Sequence, residues 1–116
     1  ISGLQFSLSI IWTEAKKRGF SLQDISNLMS KKTAEFIGLG STKGSIEKGF
    51  DADYVIWKPE DTFKVEDSMI QHKNKVTPYL NKELFGVVKA TYLRGNRVYA
   101  NNNFENSPIG EFLLKK

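Results

Sequence analysis

The chain has 116 residues, with 17 Lys and Arg against 13 Asp and Glu, a formal charge of +4, and no cysteine. That length suits one domain or a piece of a larger protein, and the lack of cysteine excludes a disulfide framework, a zinc knuckle and a thiol nucleophile within it. The basic residues are scattered rather than gathered into a stripe, so nucleic acid is not an expected partner. The longest apolar run, Ile10-Ile11-Trp12, is far too short to span a bilayer.

Leu4, Leu8, Ile11, Trp12 and Ala15 recur at helical spacing, with Gln5, Ser9, Lys16 and Lys17 mostly elsewhere. This predicts an amphipathic helix that stops near Gly19, where glycine suits a left-handed C-terminal cap. Phe6 and Ile10 widen the apolar face, so packing on two sides is expected. Ser21 to Asp24 is an N-terminal capping signature, and Leu22, Ile25, Leu28 and Met29 form the stripe of a second helix over 21–30. Thr33 is read as the cap of a third short helix, with Ala34, Phe36, Ile37 and Leu39 facing inward and Gly38 near its end.

The pattern changes at Gly40, where glycines punctuate the chain and the period switches from helical to alternating. Asp53 to Trp57 reads as a strand closed by Lys58-Pro59, because proline cannot donate to a β-ladder. Phe63 and Val65 suggest a second short strand. Residues 89–94 and 97–100 flank Gly95-Asn96, the clearest hairpin signal in the chain. Residues 101–106 form a polar tip before the tail Phe112-Leu113-Leu114.

Candidate chemistry is sparse. The one histidine, His72, sits in the cationic run Gln71-His72-Lys73-Asn74-Lys75, and a metal site needs several converging donors. Asp51 and Asp53 are close in sequence, but at a glycine turn they read as backbone-capping carboxylates. Two-residue spacing would put them on one strand face, where like charges repel. No serine lies in a nucleophile elbow, and neither a dinucleotide-binding glycine pattern nor a P-loop is present. The residues by themselves imply no self-sufficient active site and leave a non-catalytic interaction module open.

Several stretches carry a family resemblance. They are Ile1-Ser2-Gly3-Leu4-Gln5, Arg18-Gly19-Phe20-Ser21, and Thr33 to Leu39. The run Lys43-Gly44-Ser45-Ile46-Glu47-Lys48-Gly49-Phe50-Asp51-Ala52-Asp53 continues the likeness. It extends to His72-Lys73-Asn74-Lys75-Val76-Thr77-Pro78-Tyr79, Leu93 to Tyr99, and Pro108 to Leu114. In this order they resemble the C-terminal end of the allantoinases, cyclic amidohydrolases related to dihydropyrimidinases, hydantoinases and dihydroorotases. The resemblance implies an α/β fold: the C-terminal part of a (β/α)8 amidohydrolase barrel, contributing helices, followed by strands of a small β-sandwich domain. The implied division is 1–40 for the barrel helices, 41–104 for the sandwich strands and 105–116 for a tail.

The implied reaction is metal-dependent opening of allantoin to allantoate in purine breakdown, by a homo-oligomer when full-length, acting on a small molecule and on neither nucleic acid nor membrane. In the complete enzyme two divalent metals, zinc by likeness, activate water. By family likeness the last metal ligand lies upstream of the segment in which Ile1 falls. This chain is therefore expected to bind no metal, to carry no catalytic residue and to be inactive alone. Ser2 and Gly3 are placed by the resemblance at the rim of the substrate site. The same segment of a dihydropyrimidinase or hydantoinase is the sibling alternative, and nothing fixes the compartment.

Overall fold

The computed structural model describes residues 3–105 and 107–114. A 3-10 turn, Leu4–Phe6, opens into helix α1, Ser7–Lys17. Its end follows the sequence signal. The Gly19 amide bonds Lys16 O at 3.3 Å and the Phe20 amide bonds Ala15 O at 3.0 Å, which closes the last turn. Helix α2, Leu22–Ser26, starts with the anticipated reciprocal cap: Asp24 N–H donates to Ser21 Oγ at 3.1 Å, and Ser21 N–H to Asp24 Oδ2 at 2.9 Å.

The second and third predicted helices are one continuous run. A π turn, Asn27–Lys31, joins α2 to α3, Lys32–Phe36. Thr33 is not a cap. Its hydroxyl lies 3.0 Å from both Met29 O and Ser30 O, inside the helix, where it serves carbonyls that the wider turn loosens. Of the residues expected to face inward, Ala34 is buried, whereas Phe36 and Ile37 are exposed. Leu4 and Ile11 of the first stripe are also exposed.

Strand β1, Tyr54–Lys64, runs past Pro59 and absorbs the second predicted strand. It pairs antiparallel with β2, Glu83–Leu93, followed by β3, Asn96–Ala100, and β4, Asn103–Phe104, in the order β1-β2-β3-β4. Proline is tolerated for two reasons. Among the described residues β1 is an edge strand, and its register slips between Lys58 and Thr62, so Pro59 lies in a bulge. The hairpin is confirmed with its turn one residue earlier than expected: Leu93 pairs with Asn96, and Arg94 (φ 47°) and Gly95 (φ 77°) are the central residues. Positive φ at both central positions matches the strands' natural twist.

Helix α1 lies against the sheet, and the bulge explains how. Thr13 Oγ1 accepts the Phe85 amide at 2.9 Å and donates to Ser9 O at 2.6 Å, while Ser9 Oγ donates to Gly86 O at 2.6 Å. The helix thus supplies partners to β2 where β1 runs out of register. Ser9, expected on the polar side, is therefore buried along with Thr13. Trp12 meets Trp57 edge-on at 6.0 Å and donates its indole N–H to Pro59 O at 2.9 Å. Two apolar clusters flank these contacts. One holds Phe6, Val65, Ile70 and Leu84, and the other Trp12, Ala15 and Ile25. No helix among the described residues is long and apolar enough to cross a membrane.

Candidate functional site

Three places carry the residues singled out above. The first is the acidic doublet. Asp51 and Asp53 do share a direction, and Lys43 resolves their repulsion: its ammonium lies 2.9 Å from Asp51 Oδ2 and 2.5 Å from Asp53 Oδ2. Asp53 Oδ1 accepts the Arg94 amide at 2.9 Å, and Ala52 O accepts the Gly95 amide at 2.9 Å. The Arg94 guanidinium continues to Ile109 O at 2.5 Å and to Glu111 at 3.6 Å. Asp53 therefore caps backbone, as expected, but the backbone belongs to a remote hairpin turn rather than its own loop. Hydrogen bonds to both carboxylates raise the Lys43 pKa above its ordinary value. For Asp53, burial pushes the carboxyl up, and the bonds from Lys43 and the Arg94 amide outweigh it, so the net direction is down. With their charges spent on one another, these groups fasten the loop, the turn and the tail.

Gly44 fixes the other side of this loop. Its φ is +91°, and a Cβ there would fall 2.8 Å from Ser30 O and from Ala34 Cβ. The loop backbone is pressed against the π turn, and only glycine leaves room.

The second place is the His72 loop. His72 Nε2 is 3.2 Å from Val76 O, and Lys75 Nζ donates to Ile70 O at 2.6 Å, so both side chains brace their own loop. Among the described residues no three His, Cys, Asp or Glu side chains gather as a metal-binding group. The His, Asp and Glu side chains of the described residues, apart as they are, do not fit a two-metal centre.

The third place is the start of the chain. Ser2 lies outside the described residues. Gly3 is half-buried under the Tyr79 ring, with room for a Cβ only at 3.0 Å from Tyr79 Cε2. Gln5 bonds the backbone at Met69 and Gln71. Sequence reasoning assigned no role to Gln5, Tyr79, Lys43 or Arg94. The partners of Lys43 and Gln5 lie 8 to 66 residues away, beyond the reach of a helical or strand period.

Beside the doublet, an apolar groove of about 690 Å³ opens between the 22–36 helical run and β1. Leu22, Ile25, Met29, Ile37, Tyr54 and Trp57 line it, and Lys43 and Asp53 border it.

The profile of the Amidohydrolase family matches residues 12–99 of this chain. The chain belongs to the amidohydrolase family. It is similar along its whole length to the allantoinase of Streptomyces avermitilis, at 49% identity, covering 26% of that protein. Similarity to probable allantoinase 2 of Dictyostelium discoideum is 42% over 99% of the chain and 23% of that protein. Among solved structures, the L-hydantoinase (dihydropyrimidinase) of Arthrobacter aurescens superposes with a TM-score of 0.83 at 28% identity, over 90% of this chain and 23% of that one. The chain thus spans about a quarter of the length of the curated relatives it matches. Its fold is the α/β arrangement of the hydantoinase-type amidohydrolase barrel enzymes over the part it covers.

Proposed function

We propose that this chain is the C-terminal segment of an allantoinase, a metal-dependent hydrolase that opens the cyclic amide ring of allantoin to give allantoate. The observation that carries the reading is the 49% identity to the Streptomyces avermitilis allantoinase, maintained over all 116 residues. The hydantoinase structures support the fold but match at lower identity, 28% for the Arthrobacter aurescens enzyme, so allantoin is the favoured substrate over hydantoin or dihydropyrimidine rings. Two divalent metals, zinc by family likeness, would be held by polypeptide outside this segment, and the chain alone is inactive. The segment divides at residue 40 into barrel helices and, over 41–104, strands of a small sandwich domain that residues 105–116 follow as a tail. Ser2 and Gly3 sit at the rim of the substrate site, and the full-length enzyme is a homo-oligomer.

The test compares the full-length protein that carries this segment with the isolated 116-residue chain. Each is offered allantoin, hydantoin and dihydrouracil, and metal is counted on both. The expected result is allantoin turnover by the full-length protein alone. Preferential turnover of hydantoin or dihydrouracil would move the reading to the sibling enzymes. Two metal ions per molecule on the isolated chain would overturn the assignment of the metal centre.

A further inference from the structure

The loop 66–81 is closed at its base, where the Val65 amide bonds Lys82 O and the Asn81 amide bonds Val65 O, each at 2.9 Å. A compact loop whose ends meet in this way is a discrete unit rather than a loose connection. Within the loop Thr77 is buried, at its base Val65 is fully buried, and Lys75 and His72 bond carbonyls of the same loop. This braced loop also meets three residues near the start of the chain, Gly3, Gln5 and Phe6.

Gln5 Nε2 donates to Met69 O at 2.6 Å, and the Gln71 amide donates to Gln5 Oε1 at 2.9 Å. One side-chain amide therefore pairs with the loop backbone as a strand residue would, using a donor and an acceptor together. On one side of it, Phe6 is buried beside Val65, Ile70 and Leu84. On the other, the Tyr79 ring closes over Gly3. Gly3, Gln5 and Phe6 are thus each fastened by a different part of the same braced unit. A helix start needs none of this to form. What the three contacts do fix is the position of the backbone at Gly3.

We infer that the loop 66–81 is a positioning brace for the rim of the substrate site, with Gln5 and Tyr79 as positioning residues that set where the Gly3 backbone lies. The inference rests on the reading above, in which Gly3 borders the site. Neither residue is a catalytic residue. Each acts through the backbone it holds, and displacement of a rim by about an ångström is enough to lose roughly a hundredfold in rate.

The experiment uses the full-length protein with Gln5→Met, Gln5→Glu, Tyr79→Leu and Tyr79→Phe. Kinetics on allantoin, metal content, melting temperature and amide hydrogen exchange at Phe6, whose N–H bonds Gly3 O, are measured together. Gln5→Met removes both bonds at similar volume, and Gln5→Glu keeps only the acceptor for Gln71. Tyr79→Phe keeps the ring over Gly3. The expected result is faster exchange at Phe6 and a roughly ten- to hundredfold lower kcat/KM in Gln5→Met and Tyr79→Leu, with KM rising more than kcat falls. Metal content stays unchanged, Gln5→Glu is intermediate, and Tyr79→Phe behaves as wild type. Faster exchange with unaltered kinetics would reduce the brace to a stability element and overturn the inference. Unchanged exchange would show that no brace exists. A wild-type protein that ignores allantoin removes the proposed function instead, and exchange at Phe6 still decides whether the brace holds Gly3.

Discussion

Asp53 Oδ1 accepts the backbone N–H of Arg94 at 2.9 Å, across 41 positions of sequence. Its other oxygen holds Lys43, so one carboxylate ties the glycine-rich loop before β1 to the turn between β2 and β3. Arg94 sits in the left-handed region at φ 47°, where a non-glycine residue is strained. The bond from Asp53 offsets that strain by holding the amide of the strained residue. Replacing Asp53 with Ala leaves that amide without its acceptor and Lys43 with Asp51 alone. The expected loss is about 1–3 kcal/mol of unfolding free energy, read from chemical denaturation. A denaturation midpoint equal to wild type would show that the turn stands without the carboxylate.

The same cluster sets a pH dependence. Asp53 has a folded pKa below its ordinary value of 3.8, so the unfolded state takes up its proton first as the solution is acidified. Its contribution is complete above 3.8 and disappears as pH falls through the lower folded value. Lys43 has a folded pKa above 10.5, so its contribution is complete below 10.5 and fades as pH rises through the higher folded value. Stability from this cluster should be flat across neutral pH and fall at both extremes. In Asp53→Ala the acid limb should become shallower. An unchanged acid limb in that variant would locate the acid sensitivity elsewhere.

Two glycines should fail for different reasons. At Gly95, apart from its own chain neighbours, no atom of the described residues stands within 4 Å of the place a Cβ would take. Gly95→Val is therefore penalised only through φ +77° in a β-branched residue, at roughly 1–3 kcal/mol. At Gly44 even alanine meets the π turn at 2.8 Å as well as holding φ +91°, so Gly44→Ala should be the more damaging of the two despite its smaller side chain. Thermal melts of both variants check the order. Gly44→Ala melting above Gly95→Val would mean that the loop can lift off the helix at little cost.

The sequence disclosed what short-range chemistry decides. The Ser21–Asp24 cap and the Gly19 stop involve partners within six residues and appeared where expected. The Gly95 hairpin was legible too, but its central pair is set by Asp53 and Ala52, which hold the Arg94 and Gly95 amides from outside the hairpin. Pro59 suggested an end to the strand because proline lacks a donor. That inference missed that an edge strand with a bulge has a place where no donor is needed. Ser9 looked solvent-facing because polar residues on a helix usually are. It is buried because Gly86 O, 77 positions away, receives its hydroxyl. Of the candidate site, Asp51, Asp53, His72 and the glycine-rich turn stood out in advance from the residues themselves, and Ser2 and Gly3 only through the family likeness. The residues that hold them, Lys43 and Arg94, are chemically ordinary until the fold brings them together.

Thr13 offers a sharper check on the helix–sheet joint. Valine matches its shape but cannot accept the Phe85 amide, so Thr13→Val leaves a partly buried N–H without its partner. The expected loss is about 1–3 kcal/mol, more than the hydroxyl's own bond to Ser9 O accounts for. Double substitution with Ser9→Ala should be non-additive, because both hydroxyls serve the same stretch of β2, opposite the bulge in β1. Additive losses in denaturant would separate the two contacts.

The isolated chain should associate with itself. Among the described residues β1 has a partner on one edge only, and its Val55 and Ile56 remain 42% and 51% exposed. Beside them the apolar groove of about 690 Å³ is open to solvent. Ile37 and Ile46, which also line it, are 67% and 87% exposed. An unpaired strand edge next to a contiguous apolar surface is a template for pairing between copies. Each large apolar side chain left in water forgoes roughly 1.5–3 kcal/mol, against a total stability of about 5–15 kcal/mol for a domain. Sedimentation of the purified 116-residue chain should show a mass distribution that shifts upward with concentration. Introducing a charge beside the groove by Ile56→Lys should suppress that shift without lowering the melting temperature, since Ile56 is already half in water. A monodisperse monomer with sharp, dispersed amide resonances would contradict the expectation and favour a self-standing module over a segment that needs the rest of an enzyme.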